Sequence, residues 1–176
     1  MVSTALRRLQ KSCAALAAAS LIFAAQSSHA VAVGDQAPEI TVVQADGSPI
    51  QLSALRGKTV YLDFWASWCG PCRQSFPWMN AMQDKYAGSG LAIVAINVDK
   101  KRADAEKFLA QFPARFTIVY DEPGLTPTKY EVKKMPTSVL IDARGKIVSV
   151  HSGFSNDMRD DLERRIRATM AGKPAN

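Results

Sequence analysis

The stretch Val60 to Arg73, VYLDFWASWCGPCR, constrains the fold of this chain more than any other. An apolar, β-prone run holding Val60, Tyr61, Leu62, Phe64 and Trp65 predicts a buried strand, and WCGPC follows it almost at once. Pro71 has the backbone angle of a first helical turn, so the chain is expected to pass from strand to helix across the two cysteines. Two intervening residues, Gly70 and Pro71, let that turn bring Cys69 and Cys72 within disulfide reach. Cys69 is placed at the exposed helix start, where free amides and the positive end of the helix dipole favour a thiolate, the nucleophilic form. Cys72, further into the helix, is then the resolving thiol. A zinc site would call for a second CxxC, and the sequence has none.

Residues 1–30 open with Arg7, Arg8 and Lys11, continue through an apolar run from Cys13 to Ala25, and end in small residues at Ser28 and Ala30. That is the layout of a secretory signal peptide, with cleavage expected after Ala30 or Ala32. The apolar run, roughly 13 residues, is short for spanning a bilayer. Removing the leader takes away Cys13 and leaves Cys69 and Cys72 as the only thiols, a pair too close in sequence to staple a fold but suited to redox chemistry in an oxidising compartment. The leader holds no acid, so the formal charge falls by its three bases, from +6 to +3. So mild an excess, without interleaved aromatic residues, excludes a nucleic-acid footprint.

Along the mature chain a turn at Asp46-Gly47 and an apolar stretch at Ile50 to Leu52 predict a small hairpin. Ser53 to Gly57 reads as one helical turn. Phe76, Met79, Met82 and Tyr86 recur at helical spacing after the cysteines, with Pro77 inside the pattern and Gly88 and Gly90 ending it. Leu91 to Val98 is nearly all apolar, the signature of a strand between parallel neighbours. Asp104 is expected to cap a helix that Pro113 stops. Phe116 to Tyr120 predicts a strand, Pro127 to Tyr130 a short helix, MPTSVLID and GKIVSVHSG an antiparallel pair, and Asp157 to Met170 a last helix with Leu162 and Ile166 on one face.

The strand-turn-helix around WCGPC, with these flanking segments, resembles the thioredoxin superfamily, and within it the exported thiol reductases of the TlpA and ResA type. The resemblance spans Gly34 to Met170. It implies an α/β thioredoxin-like fold over residues 33–172, with a central mixed sheet flanked by helices, an extra N-terminal β-hairpin, and a central insert, the helix and strand between Val98 and Tyr120. It also implies a dithiol-disulfide oxidoreductase, a monomer of the periplasm, needing no cofactor beyond a redox-active Cys69–Cys72 disulfide. Its substrates would be disulfide-containing exported proteins and its electrons would come from a membrane donor of the DsbD or CcdA kind.

Asp63 shares a strand face with Tyr61 and Trp65, a setting in which a carboxyl is expected to hold its proton. The matching acid in thioredoxins relays a proton to the resolving cysteine, a role the resemblance carries to Asp63. Thioredoxins often place a lysine beside that acid, where this chain has Ala95. The resemblance makes Pro136 a cis-proline opposite the cysteines, with Met135 and Thr137 beside it and Trp68, Gly70 and Pro71 completing the substrate-binding surface; Trp65 is assigned to the core. Relatives often carry a glutamate where this chain has Ser75, and Ala66 stands where a peroxidase would have threonine. A copper-binding metallochaperone using both thiolates, with His151 or a methionine, is the alternative reading.

Overall fold

The computed structural model describes residues 31–172. Seven strands form one mixed sheet: β1 (Thr41–Gln44), β2 (Pro49–Gln51), β3 (Thr59–Trp65), β4 (Leu91–Asn97), β5 (Thr117–Tyr120), β6 (Thr137–Ile141) and β7 (Ile147–Ser152). Their order across the sheet is β2-β1-β5-β4-β3-β6-β7. β3, β4 and β5 run parallel, which explains why β3 and β4 are apolar along nearly their whole length: both faces of a central parallel strand are covered. β6 joins the other side of β3 antiparallel, and β7 closes that edge. The expected hairpin is β1–β2, turning through Gly47 in a left-handed conformation (φ 84°) that a glycine adopts without strain. The expected insert is the crossover through β5, which slots between β4 and β1.

Among the described residues four α-helices accompany the sheet: α1 (Cys72–Tyr86), α2 (Arg102–Gln111), α3 (Leu125–Lys129) and α4 (Arg159–Met170). α1, α2 and α4 cover one face, burying Phe76, Met79, Phe108, Leu162 and Ile166 with Tyr61, Trp65 and Ile93 of the sheet. An aromatic cluster locks this layer. Trp65 meets Phe76 and Phe108 at centroid distances of 4.8 and 4.9 Å, and Phe76 meets Phe116 at 5.3 Å. Pairs of this kind each add about 0.5–1.5 kcal/mol beyond area burial. The other face packs Leu62, Phe64, Val94 and Ile96 under Ile40, Leu52 and Tyr130.

Boundaries differ from expectation in three places. Asp104 does not cap α2; the helix opens at Arg102, leaving the acid in its first turn, where it meets the dipole and pairs with Lys107 at 3.6 Å. The last helix begins at Arg159, because residues Asn156–Met158 form a tighter 3-10 turn. The short third helix lies at Leu125–Lys129, its amides at Leu125 and Thr126 held by the Asp121 carboxylate at 3.2 and 2.6 Å.

Candidate active site

β3 ends at Trp65 in the middle of the sheet, and a loop of six residues leads from it to α1, which starts at Cys72. Pro71 sits immediately before that helix with helical angles (φ −63°, ψ −23°), the φ being the one its ring fixes. Cys69 and Cys72 are joined in a disulfide with an S–S distance of 2.04 Å. The Cys72 amide lies 3.2 Å from Cys69 Sγ and 3.2 Å from the Cys69 carbonyl, so the first N–H of α1 is shared between that oxygen and the sulfur that would carry thiolate charge. Trp68 is 69% exposed, and Gly70 and Pro71 are exposed beside it. Cys69 itself is not at the surface, contrary to expectation: it is 3% exposed, because it packs with Ala66, Cys72 and Phe76 in the larger core cluster.

The loop is tethered by groups that sequence reasoning missed. Asp99, just beyond β4, accepts the Ser67 amide at 2.9 Å and the Ser67 hydroxyl at 3.0 Å. Asn97 holds Asp99 in turn, donating to its carboxylate at 2.8 Å and accepting its amide at 3.1 Å. The available signal was two polar residues spaced by one at the carboxyl end of an otherwise apolar strand, but the partner across the sheet is invisible without register. Asp99→Ala is expected to cost about 1–3 kcal/mol of stability in urea denaturation, since the half-buried Ser67 and buried Asn97 donors lose their acceptor. Asp99→Asn, which keeps an oxygen for Ser67, should lose less.

Asp63 is 2% exposed, and its Oδ2 has no hydrogen-bond partner. Burial pushes its carboxyl well above the ordinary aspartate range. Across the sheet it faces Ala95 on β4, so no lysine approaches from that side. No ion pair among the described residues involves Asp63. The Tyr61 phenol is likewise raised, by burial first and then by the Asp63 charge, with the Ser138 hydroxyl as a hydrogen-bond partner working the other way. Trp65 is fully buried, as expected of core.

The Met135–Pro136 bond is cis. Met135 is half-buried against both core clusters, and its backbone makes no hydrogen bond to other backbone groups among the described residues. Thr137 is buried, with its hydroxyl donating to the Lys134 carbonyl at 2.8 Å and lying 3.2 Å from Ser152 Oγ, so its side chain is committed to the protein. Ser75 turns its hydroxyl back to the Cys72 carbonyl at 3.1 Å. His151 lies on β7 with Nε2 3.1 Å from Met158 Sδ. Among the described residues no group of three or more His, Cys, Asp or Glu side chains gathers where a metal could be held.

The Redoxin family profile matches residues 32–166. The chain belongs to the Redoxin family. Within the thioredoxin superfamily, this Redoxin chain is 36% identical over 139 residues to the thiol-disulfide oxidoreductase ResA of Geobacillus kaustophilus, covering 79% of each chain. It is 34% identical over 132 residues to ResA of Bacillus subtilis, covering 75% of this chain and 73% of that one. A solved structure from Chlorobium tepidum, provisionally described as the thiol:disulfide interchange protein DsbE, superposes with a TM-score of 0.78 at 52% identity, over 80% of this chain and 99% of that one. The protein is a thiol-disulfide oxidoreductase of this thioredoxin-like type.

Proposed function

We propose that this Redoxin is an exported, monomeric protein-disulfide reductase, acting in the periplasm after loss of its first 30 residues. The observation that carries the reading is the Cys69–Cys72 pair at the start of α1, framed by exposed Trp68, Gly70 and Pro71 and backed by the buried, unpaired Asp63. The signal peptide expected over residues 1–30 lies outside the described residues; among those that are described, no helix is long and apolar enough to cross a membrane.

In this mechanism the Cys69 thiolate attacks a substrate disulfide, forming a mixed disulfide and releasing one substrate thiolate. Cys72 then gives its proton to Asp63 and attacks Cys69 Sγ, which reforms the Cys69–Cys72 bond and releases the second substrate thiolate. The two electrons pass from the protein dithiol to the substrate. Met135 offers unpaired backbone groups beside cis-Pro136, suited to strand-like pairing with an extended substrate segment and indifferent to its side chains. The oxidised protein is then re-reduced by a membrane donor of the DsbD or CcdA kind.

Direction follows from how strongly the thiolate is stabilised, since a more stable thiolate makes a stronger oxidant. Only neutral Gly70 and Pro71 separate the cysteines, so stabilisation comes from backbone donors alone. Equilibration with glutathione is expected to return a thioredoxin-like potential near roughly −270 mV. A value near the roughly −120 mV of a strong oxidant would reverse the assigned direction.

A further inference from the structure

Asp63 sits at the point where a row of side chains crossing the sheet changes character. Directly paired positions run Ile118 on β5, Ala95 on β4, Asp63 on β3, Ser138 on β6 and His151 on β7. Opposed residues of a ladder face the same side with Cβ atoms about 4.5–5.5 Å apart. Towards β5 the row is apolar. Towards β7 it is polar all the way to the last strand of the sheet, and burial falls along it: Asp63 is 2% exposed, Ser138 5%, and His151 is half-buried. Two polar side chains on the helix-covered face have no packing reason to stand in line with an orphaned carboxyl.

We infer that Ser138 and His151 form the route by which protons pass between Asp63 and solvent, serving the disulfide reductase proposed above and resting on the Asp63 relay assigned there. The need for a route is physical. A carboxyl that burial keeps neutral cannot accept the Cys72 proton until its own has left, and Asp63, 2% exposed, cannot pass that proton straight to water. A hydroxyl donates and accepts at once, so Ser138 can hand a proton on, directly or through one water, as an alanine or leucine there could not. His151 suits the outer end. Its Nε2 faces the Met158 thioether, which only accepts, so that nitrogen carries the hydrogen and Nδ1 carries the lone pair that takes up a proton. Burial, then Arg165 and Lys134, hold the imidazole below its ordinary range, against the opposing pull of Asp161. Polar groups on the same strand face beside Asp63 are the Tyr61 phenol, which Ser138 engages, and the buried Trp65 indole nitrogen, which has no partner.

The test uses the mature, reduced protein and dithiobis(nitrobenzoate). Cys69 releases one coloured thiolate on first attack, and Cys72 releases the second when it closes the protein disulfide. His151→Ala is expected to slow the second release roughly tenfold at about pH 7, a modest share of what general acid–base catalysis supplies, while the first release keeps its rate. Added imidazole should restore the second step, which a merely structural defect would not allow. Ser138→Val should reproduce the delay without rescue, and Ser138→Thr, of the same size but with a hydroxyl, should not. In an Asp63→Asn background, His151→Ala should add nothing. A full-rate second release in His151→Ala beside a slowed Asp63→Asn overturns the route alone; slowing that imidazole does not relieve overturns it too. If Asp63→Asn itself leaves the second release unchanged, the relay falls and the route with it.

Discussion

Cys69→Ser is expected to abolish disulfide exchange outright, while Cys72→Ser should retain the first attack and accumulate substrates as stable mixed disulfides. The asymmetry comes from placement. Cys69 precedes α1 and receives the Cys72 amide at 3.2 Å, whereas Cys72 is inside the helix with no exposed surface. Only a sulfur at the helix start, reached by the Cys72 amide and bordered by an exposed rim of Trp68, Gly70 and Pro71, can meet a bulky disulfide. With Cys69 lost, the remaining thiol is buried and its route to substrate is closed, so turnover of insulin disulfides should fall to the background of the uncatalysed thiol reaction. With Cys72 lost, the mixed disulfide has no intramolecular resolver. Gel shifts under non-reducing conditions read both outcomes, and equal trapping by the two variants would overturn the assignment of nucleophile and resolver.

The placement of the two cysteines was legible in the sequence because it is local. Strand, turn, Pro71 and two cysteines lie within one short stretch, and each signal supports the others. The same holds for the β1–β2 hairpin, declared by Asp46-Gly47, and for β4, declared by its continuous apolar run. What escaped were relations across the sheet. The clamp of Asp99 on Ser67 joins residues far apart in sequence, and it exists only because the end of β4 lies beside the loop leaving β3. The row from Asp63 to His151 likewise requires β6 to sit between β3 and β7. Ser138 and His151 read as ordinary polar strand residues until the register puts them in line. Cys69 was expected at the surface for a related reason: its position at a helix start is a local property, but its cover comes from the core cluster that includes Phe76.

Asp63→Asn is expected to change both rate and stability, and the two effects separate its chemistry from its burial. In the reaction, removing the carboxylate should slow resolution by Cys72 by about 10²-fold or more, the scale on which a positioned general base contributes, and slow the first attack much less. In the fold, the sign is set by the direction of the shift. The unfolded chain gives up the Asp63 proton near the ordinary value of 3.8, whereas the folded protein keeps it to higher pH because its charged form is desolvated. Between those two values the native state binds more protons than the unfolded state, so this residue makes stability fall as pH rises, by about 1.4 kcal/mol per pH unit, and the loss levels off only above the folded value. Below 3.8 both states are protonated and Asp63 contributes no such slope. The asparagine variant cannot titrate, so its buried amide shifts stability by a constant amount. Urea denaturation of the oxidised proteins from about pH 4 to about pH 8 should therefore show the variant gaining on the wild type as pH rises. Parallel curves across that range would mean that Asp63 is solvated or paired in solution, and a carboxylate of ordinary acidity there would be a poor acceptor for the Cys72 proton.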